Sequence, residues 1–344
     1  MFEVNFREAY RYLVEDIFPS FAVPYVVGSP GIGKSSLAKK VAKYFNLYLI
    51  DHRISTSDPV DFSGFGTRNK TGDRAEYLPF DVFPLDSDPI PEGYDGFLLL
   101  LDEFNSGLRE TIAASYKLIL DRKVGQKNLH PRCLIMAAGN LMGDRAITNN
   151  IGSASINRFV KLTLKEHFPH FYQDVIIPDN WDSRISAFLN YKNEFLMDFD
   201  PSKIDEPFSS PRSWEVFNRM IKGKEVTQDK LKLYSGTISA SAASEFVSYI
   251  EYFNQIPDYK EVIKNPYGTP IPSSNPVQFA ISTSMLEKTD LKTIDPISKY
   301  INRMTIDKKI IFYRGLVAKD ISWRNNSSVV DAMRELSGYM NAWN

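Results

Sequence analysis

An apolar run, Tyr25-Val26-Val27, passes through Gly28-Ser29-Pro30-Gly31-Ile32-Gly33-Lys34-Ser35 into a stretch with helical spacing at Leu37, Val41 and Tyr44. The glycines let the chain curl tightly between a strand and a helix. Backbone N–H groups then converge on one point, and the helix N-terminus adds its partial positive charge. Strand, glycine-rich loop and helix in that order make the context a phosphate-binding loop needs. Lys34 is expected to reach the β- and γ-phosphates of ATP and Ser35 to ligate Mg²⁺, with Ser29, Pro30, Ile32 and Ser36 lining the same cradle.

The flanking sequence agrees with that placement. From Pro24 to Leu164 short apolar runs alternate with helical patterns, as a parallel sheet with crossover helices requires. The core strands are expected at 25–27, 47–50, 97–101 and 134–138, with a fifth at 159–164. A second crossover helix is read from Leu108, Ile112, Tyr116, Ile119 and Leu120 on one face, with Ser106 as its N-cap. Beyond Leu164 helical patterns such as Ala243, Phe246, Val247, Ile250 and Phe253 take over. Pro266, Pro270, Pro272 and Pro276, with Gly268, break any helix there and mark a boundary within that half. Near the N-terminus Glu3, Arg7, Glu8, Arg11, Glu15 and Asp16 interrupt the apolar residues, which speaks for an amphipathic helix rather than a secretory leader. The expected division is an α/β nucleotide-binding domain over 1–166, a helical lid over 167–260 and a mostly helical region over 261–344.

Bulk properties exclude several function classes. At 344 residues the chain exceeds the size of a single core. A formal net charge of -1 supplies no overall positive field to draw it onto nucleic acid. The longest strongly apolar stretch, 97–101, is far short of the ~18 residues that span a bilayer. The one cysteine, Cys133, cannot form an intrachain disulfide and reads as a buried strand residue, so a reducing, cytoplasmic setting is expected. His52, His130, His167 and His170 lack zinc-type spacing and are read as structural.

Three further elements carry chemistry. Leu98-Leu99-Leu100-Leu101-Asp102-Glu103 is an apolar run that ends in two carboxylates, delivered to the strand end where ligands of open α/β sheets bind. Asp102 is expected to hold Mg²⁺ through its water shell and Glu103 to polarise the attacking water. Leu134-Ile135-Met136-Ala137-Ala138-Gly139-Asn140 is a second buried run, ending in an amide suited to orient water beside the γ-phosphate; alone, Asn after Gly is a turn residue. Arg158, just before the fifth strand, and Arg212, beside Pro211 at a helix start, are candidate cations for the equatorial phosphate oxygens, or ordinary surface salt-bridge residues. Asn69-Lys70-Thr71-Gly72-Asp73 approaches a guanine-reading motif, but its acid comes one residue too late.

In this order the elements resemble those of an AAA+ ATPase: Walker A loop, Walker B strand end, sensor-1 Asn140, arginine-finger Arg158 and sensor-2 Arg212. The MoxR-like branch is the nearer likeness, through Asp58-Pro59-Val60-Asp61-Phe62-Ser63-Gly64, Gly143-Asp144-Arg145-Ala146 and Ser210-Pro211-Arg212-Ser213-Trp214-Glu215. The resemblance spans most of 20–220. It implies an α/β P-loop NTPase sheet with flanking helices, a helical lid, and a Mg-ATP-dependent ring, commonly a hexamer, in which Arg158 acts on a neighbour's nucleotide. It also implies a chaperone-like motor with a separate partner protein, often one with a von Willebrand factor A-type domain; a nucleic-acid motor or loader is the alternative. Arg145 is a second arginine at the subunit junction or a loop salt bridge. The 58–64 stretch is expected as a loop facing partners or the central pore, with Asp58 and Asp61 otherwise simple turn and cap residues.

Overall fold

The computed structural model describes residues 2–141, 149, 151, 156–203 and 205–340. The chain divides into two compact units, residues 1–165 with 200–204, and 166–199 with 205–344.

The first unit is built on six parallel strands in the order β1-β10-β2-β9-β6-β3. They are β1 (Glu3–Val4), β2 (Pro24–Val27), β3 (Leu47–Arg53), β6 (Gly96–Asp102), β9 (Cys133–Gly139) and β10 (Val160–Leu164). Alternate residues serve opposite faces. Leu98, Leu100, Met136 and Ala138 join one apolar cluster with α1 (Phe6–Tyr12) and α2 (Lys34–Tyr44). Leu99, Leu101, Ile135 and Ala137 join another with α4 (Arg109–Asp121). Strands covered on both sides read as continuous apolar runs, which is why β2, β6 and β9 stand out in the sequence. The sixth, β1, adds two residues to the edge beside β10. It is followed by the expected N-terminal helix, whose Asn5 cap and Glu8 exchange hydrogen bonds at 3.0 and 2.9 Å.

The helices correct three expectations, one of a boundary and two of a buried face. Helix α4 begins at Arg109 behind Leu108, not at Ser106, which lies in a 3₁₀ turn, Phe104–Ser106. The cause is Gly107, packed so closely on Ile54 that a Cβ there would meet its Cγ2 at 2.6 Å; the chain runs extended through this contact before it can coil. The buried face of α4 is Thr111, Ile112, Ser115, Leu118 and Ile119, whereas Leu108 and Leu120 are exposed. Tyr44 of α2 likewise faces solvent, its ring edge-on to Tyr10 and Phe45.

The 58–64 stretch is not a loop but a short helix, α3 (Pro59–Ser63), closed by an Asp58/Asp61 capping box. Both acids thus have the local capping role. An antiparallel hairpin follows, β4 (Phe65–Arg68) and β5 (Ala75–Leu78), whose turn holds Asn69 and Asp73 joined at 2.8 Å. A second hairpin, β7 (Lys123–Val124) and β8 (Lys127–Asn128), precedes β9.

The second unit is helical. A single apolar cluster runs from Phe168 to Leu336 and continues through residue 260. Its elements include α5 (Phe168–Phe171), α6 (Ser183–Tyr191), α7 (Pro211–Ile221), α8 (Leu231–Ser235), α9 (Ala240–Ile250), α10 (Tyr259–Lys264), α11 (Asn275–Lys288), α12 (Ile294–Ile301), α13 (Ile306–Lys319) and α14 (Ser327–Met340). The proline-rich stretch separates α10 from α11, with Pro276 tolerated in the first turn of α11, where a missing N–H costs nothing. Among the described residues no helix is long and apolar enough to cross a membrane.

Candidate functional site

The glycine-rich loop joins β2 to α2 at the carboxyl end of the sheet. Gly31 and Gly33 take positive φ, 80° and 109°, so the loop needs residues without a Cβ there. Gly28 is tied to the neighbouring strand by its N–H, which donates to the Gly139 carbonyl at 3.2 Å. A Cβ on Gly28 would press on the Leu164 carbonyl at 3.0 Å. The loop is therefore wedged between the ends of β9 and β10. Ser29 and Pro30 are half-buried, Ile32 is buried and Ser36 is exposed on the first turn of α2.

Two side-chain contacts draw the separate motifs together. Ser35 Oγ donates to Asp102 Oδ2 at 3.0 Å, linking the start of α2 to the end of β6. Lys34, a buried lysine, donates from Nζ to Asn140 Oδ1 at 3.1 Å and to the carbonyls of Gly28 and Ser29 at 2.7 and 3.2 Å. Residues 28–36, 102 and 140, far apart in sequence, thus meet at one end of the sheet. A buried ammonium needs such oxygens, and a phosphate would offer it charged ones instead.

Glu103 follows β6 with φ 53° and ψ 35°, a left-handed conformation that costs a residue with a Cβ about 1–2 kcal/mol. Its N–H donates to Asp102 Oδ1 at 2.8 Å, and its carboxylate accepts from Ser55 Oγ, just beyond β3. Arg53 is the cross-strand neighbour of Asp102. The Asp51 carboxyl, on the same strand, is pushed above its ordinary range, first by desolvation and then by the charge of Asp102, with a smaller push from Glu103. Arg53 and Lys39 oppose this more strongly than Glu103 adds to it, so acids and bases are interspersed at this end.

Mg²⁺ takes oxygen ligands, keeps several waters, and is usually held by one or two carboxylates together with substrate phosphates. Ser35 Oγ and Asp102 Oδ2, adjacent and both oxygen, fit that donor set. Among the described residues no group of three or more His, Cys, Asp or Glu side chains is arranged to hold a metal without such a substrate.

The arginines are placed differently. Strand β10 runs parallel to β2 with Val160 beside Pro24, so Arg158 stands at the amino end of the sheet. The loop at Gly28 begins after the carboxyl end of β2, roughly 13 Å of strand away. Arg158 is exposed, while Phe159 beside it is buried against Tyr25 and Phe104. Arg212 belongs to the second unit, exposed in the first turn of α7. That turn is capped by Ser210, whose Oγ accepts from Ser213 N at 3.2 Å, and anchored by Trp214, whose Nε1 donates to the Phe195 carbonyl at 2.6 Å. Arg145 lies outside the described residues.

Sequence reasoning missed Ser55 and Asn105. Asn105 Nδ2 donates to the Asn140 carbonyl at 2.8 Å, and its Oδ1 accepts from Asn140 N at 3.0 Å. Neither residue belongs to a recognisable spacing; each acts across a strand boundary that only the fold creates. His52 is packed among aromatic rings. His52 Nε2 meets Ser57 Oγ at 2.8 Å, and burial between Phe62 and Phe83 lowers its pKa.

No family model matches the chain, and no curated protein matches it in sequence. Among solved structures it is similar to a protein of Cytophaga hutchinsonii described as a candidate ATPase, with 14% identity over 96% of this chain and 88% of that one and a TM-score of 0.37. It is also similar to NtrX of Brucella abortus, solved in complex with ADP, with 13% identity over 96% of this chain and 68% of that one and a TM-score of 0.34. The α/β assignment rests on the chain's own six parallel strands and flanking helices.

Proposed function

We propose that this protein is a Mg-ATP-dependent ATPase of the AAA+ type, nearest the MoxR-like branch, working as a ring that remodels or assembles a partner protein. The observation that carries the ATPase reading is the Ser35–Asp102 contact together with Lys34–Asn140, which tie the phosphate loop to the acidic strand end and to the amide strand end.

The loop N–H groups and Lys34 would bind the β- and γ-phosphates, Lys34 exchanging its present carbonyl partners for charged oxygens. Ser35 and Asp102 would hold Mg²⁺, which would supply charge that neutralises the phosphates. Glu103 would accept hydrogen bonds from the attacking water and draw off its proton, and Asn140 would orient that water beside the γ-phosphate. In the structure Ser55 Oγ donates to Glu103 Oε2, and a carboxylate has further acceptor sites with which to take a water's proton.

The position of Arg158 supports assembly. Standing at the far end of the sheet from its own loop, it suits a neighbour's nucleotide better than its own. Head-to-tail contacts close into rings where the rotation between copies closes, and a closed hexamer with a separate client, such as a protein with a von Willebrand factor A-type domain, is the arrangement we propose.

The test is Mg-dependent phosphate release from ATP by the full chain. Glu103→Gln is expected to keep ATP affinity within a few-fold and to lower turnover about a hundredfold or more. Wild-type protein that releases no phosphate at any concentration, or a Glu103→Gln variant as fast as wild type, overturns the reading.

A further inference from the structure

The structure assigns Asn105 as a positioning residue: its amide clamps the backbone of Asn140 at two points, so that the acidic loop after β6 sets the aim of the amide facing Lys34. The inference rests on the ATPase reading, because the role of Asn140 does.

Asn105 is only 2% exposed, although it lies three residues after Asp102 in a connecting loop. Its Nδ2 donates to the Asn140 carbonyl and its Oδ1 accepts from the Asn140 N–H, at 2.8 and 3.0 Å. The two bonds fix the peptide planes on both sides of the Asn140 Cα. What remains free is the Asn140 side chain, whose Oδ1 meets Lys34 Nζ at 3.1 Å. A side-chain amide aims well only if its own Cα is held, and here the holder comes from the loop that carries Glu103.

The clamp is selective for asparagine. Reversing the amide would set N–H₂ against N–H and carbonyl against carbonyl, so both bonds define one orientation. Asp would lack the donor toward the carbonyl. Gly139 makes the close approach possible, since a Cβ there would lie 2.5 Å from Asn105 Oδ1 and 2.6 Å from the Tyr25 hydroxyl. The loop itself is held on its other side. The Asn149 N–H donates to the Asn105 carbonyl at 2.6 Å, and Asn149 Nδ2 donates to the Gly107 carbonyl at 2.6 Å. Phe104, beside Asn105, packs edge-on against Tyr25 and Phe159 with ring centres 5.8 and 5.6 Å apart. Glu103 and Asn140 are therefore fastened to one rigid piece of chain, and a displacement of either strand end is passed to the other.

A double-mutant cycle on the full chain tests this, read by Mg-ATP turnover and by ADP affinity. Asn105→Ala and the isosteric Asn105→Asp are each expected to lower kcat about tenfold or more with ADP affinity within about threefold, because the lost group aims a residue rather than binding the diphosphate. In an Asn140→Ala background, adding Asn105→Ala is expected to change kcat less than about twofold, since the two act as a unit. The same fold loss in both backgrounds overturns the assignment, as does an Asn105→Ala enzyme with wild-type kcat. Loss of ADP binding or of the folded state in both variants also overturns it, since Asn105 then holds only the fold. Wild-type protein that fails to hydrolyse ATP would instead defeat the parent reading.

Discussion

Glu103 and His52 lie on neighbouring strand ends yet respond to the fold in opposite ways. Glu103 takes a left-handed backbone directly after β6, and its carboxylate accepts from Ser55 Oγ. Such strain persists where surrounding contacts over-determine it, and here they belong to the candidate site. His52 is instead enclosed by Phe62 and Phe83, and burial favours its neutral form more strongly than the charges of Asp61 and Asp51 oppose this. A histidine whose folded pKa lies below its unfolded value near 6.5 binds fewer protons folded than unfolded. Its effect on stability is nil well above that value, and stability falls as pH drops through 6.5 toward the lowered folded pKa. Urea unfolding midpoints measured from pH 8 to pH 5 are therefore expected to fall more steeply for wild type than for His52→Gln; parallel curves would show that His52 stays solvated.

At the scale of elements, what the sequence reveals depends on how each is buried. Strands β6 and β9 are covered on both faces, so their apolar runs and polar ends were legible without a structure. The Asp102, Glu103 and Asn140 positions follow from where those runs stop. Helix limits and hairpins were less legible: α4 starts late because Gly107 must pass Ile54, and β4 and β5 carry no buried alternation to announce them. Asn105 escaped notice for the same kind of reason, since its partner is 35 residues away on another strand. The mutational cost should follow this burial. Leu99, fully buried in a strand packed on both sides, is expected to cost about 2–5 kcal/mol on replacement by Ala, seen as a lowered urea midpoint. A midpoint within error of wild type would place Leu99 outside the core that forms the site.

At the scale of the whole molecule, the first unit gathers the phosphate loop, both acids and Asn140 at one end of its sheet, and leaves Arg158 at the other. On the proposed reading such a chain would carry two incomplete halves of a hydrolytic site, one offering phosphate-binding groups and a base, the other a cation. Joining copies head to tail, as proposed, would complete a site at each junction. Arg158→Ala retains the base but lacks the cation for its neighbour, and Glu103→Gln has the opposite defect. The direct measurement is phosphate release by the two variants, alone and mixed. Each alone is expected to be nearly inactive, while an equal mixture recovers turnover, with about a quarter of randomly formed junctions complete. An active wild type whose variants recover nothing at any mixing ratio, or an Arg158→Ala variant as active as wild type, would contradict a site shared between neighbouring copies.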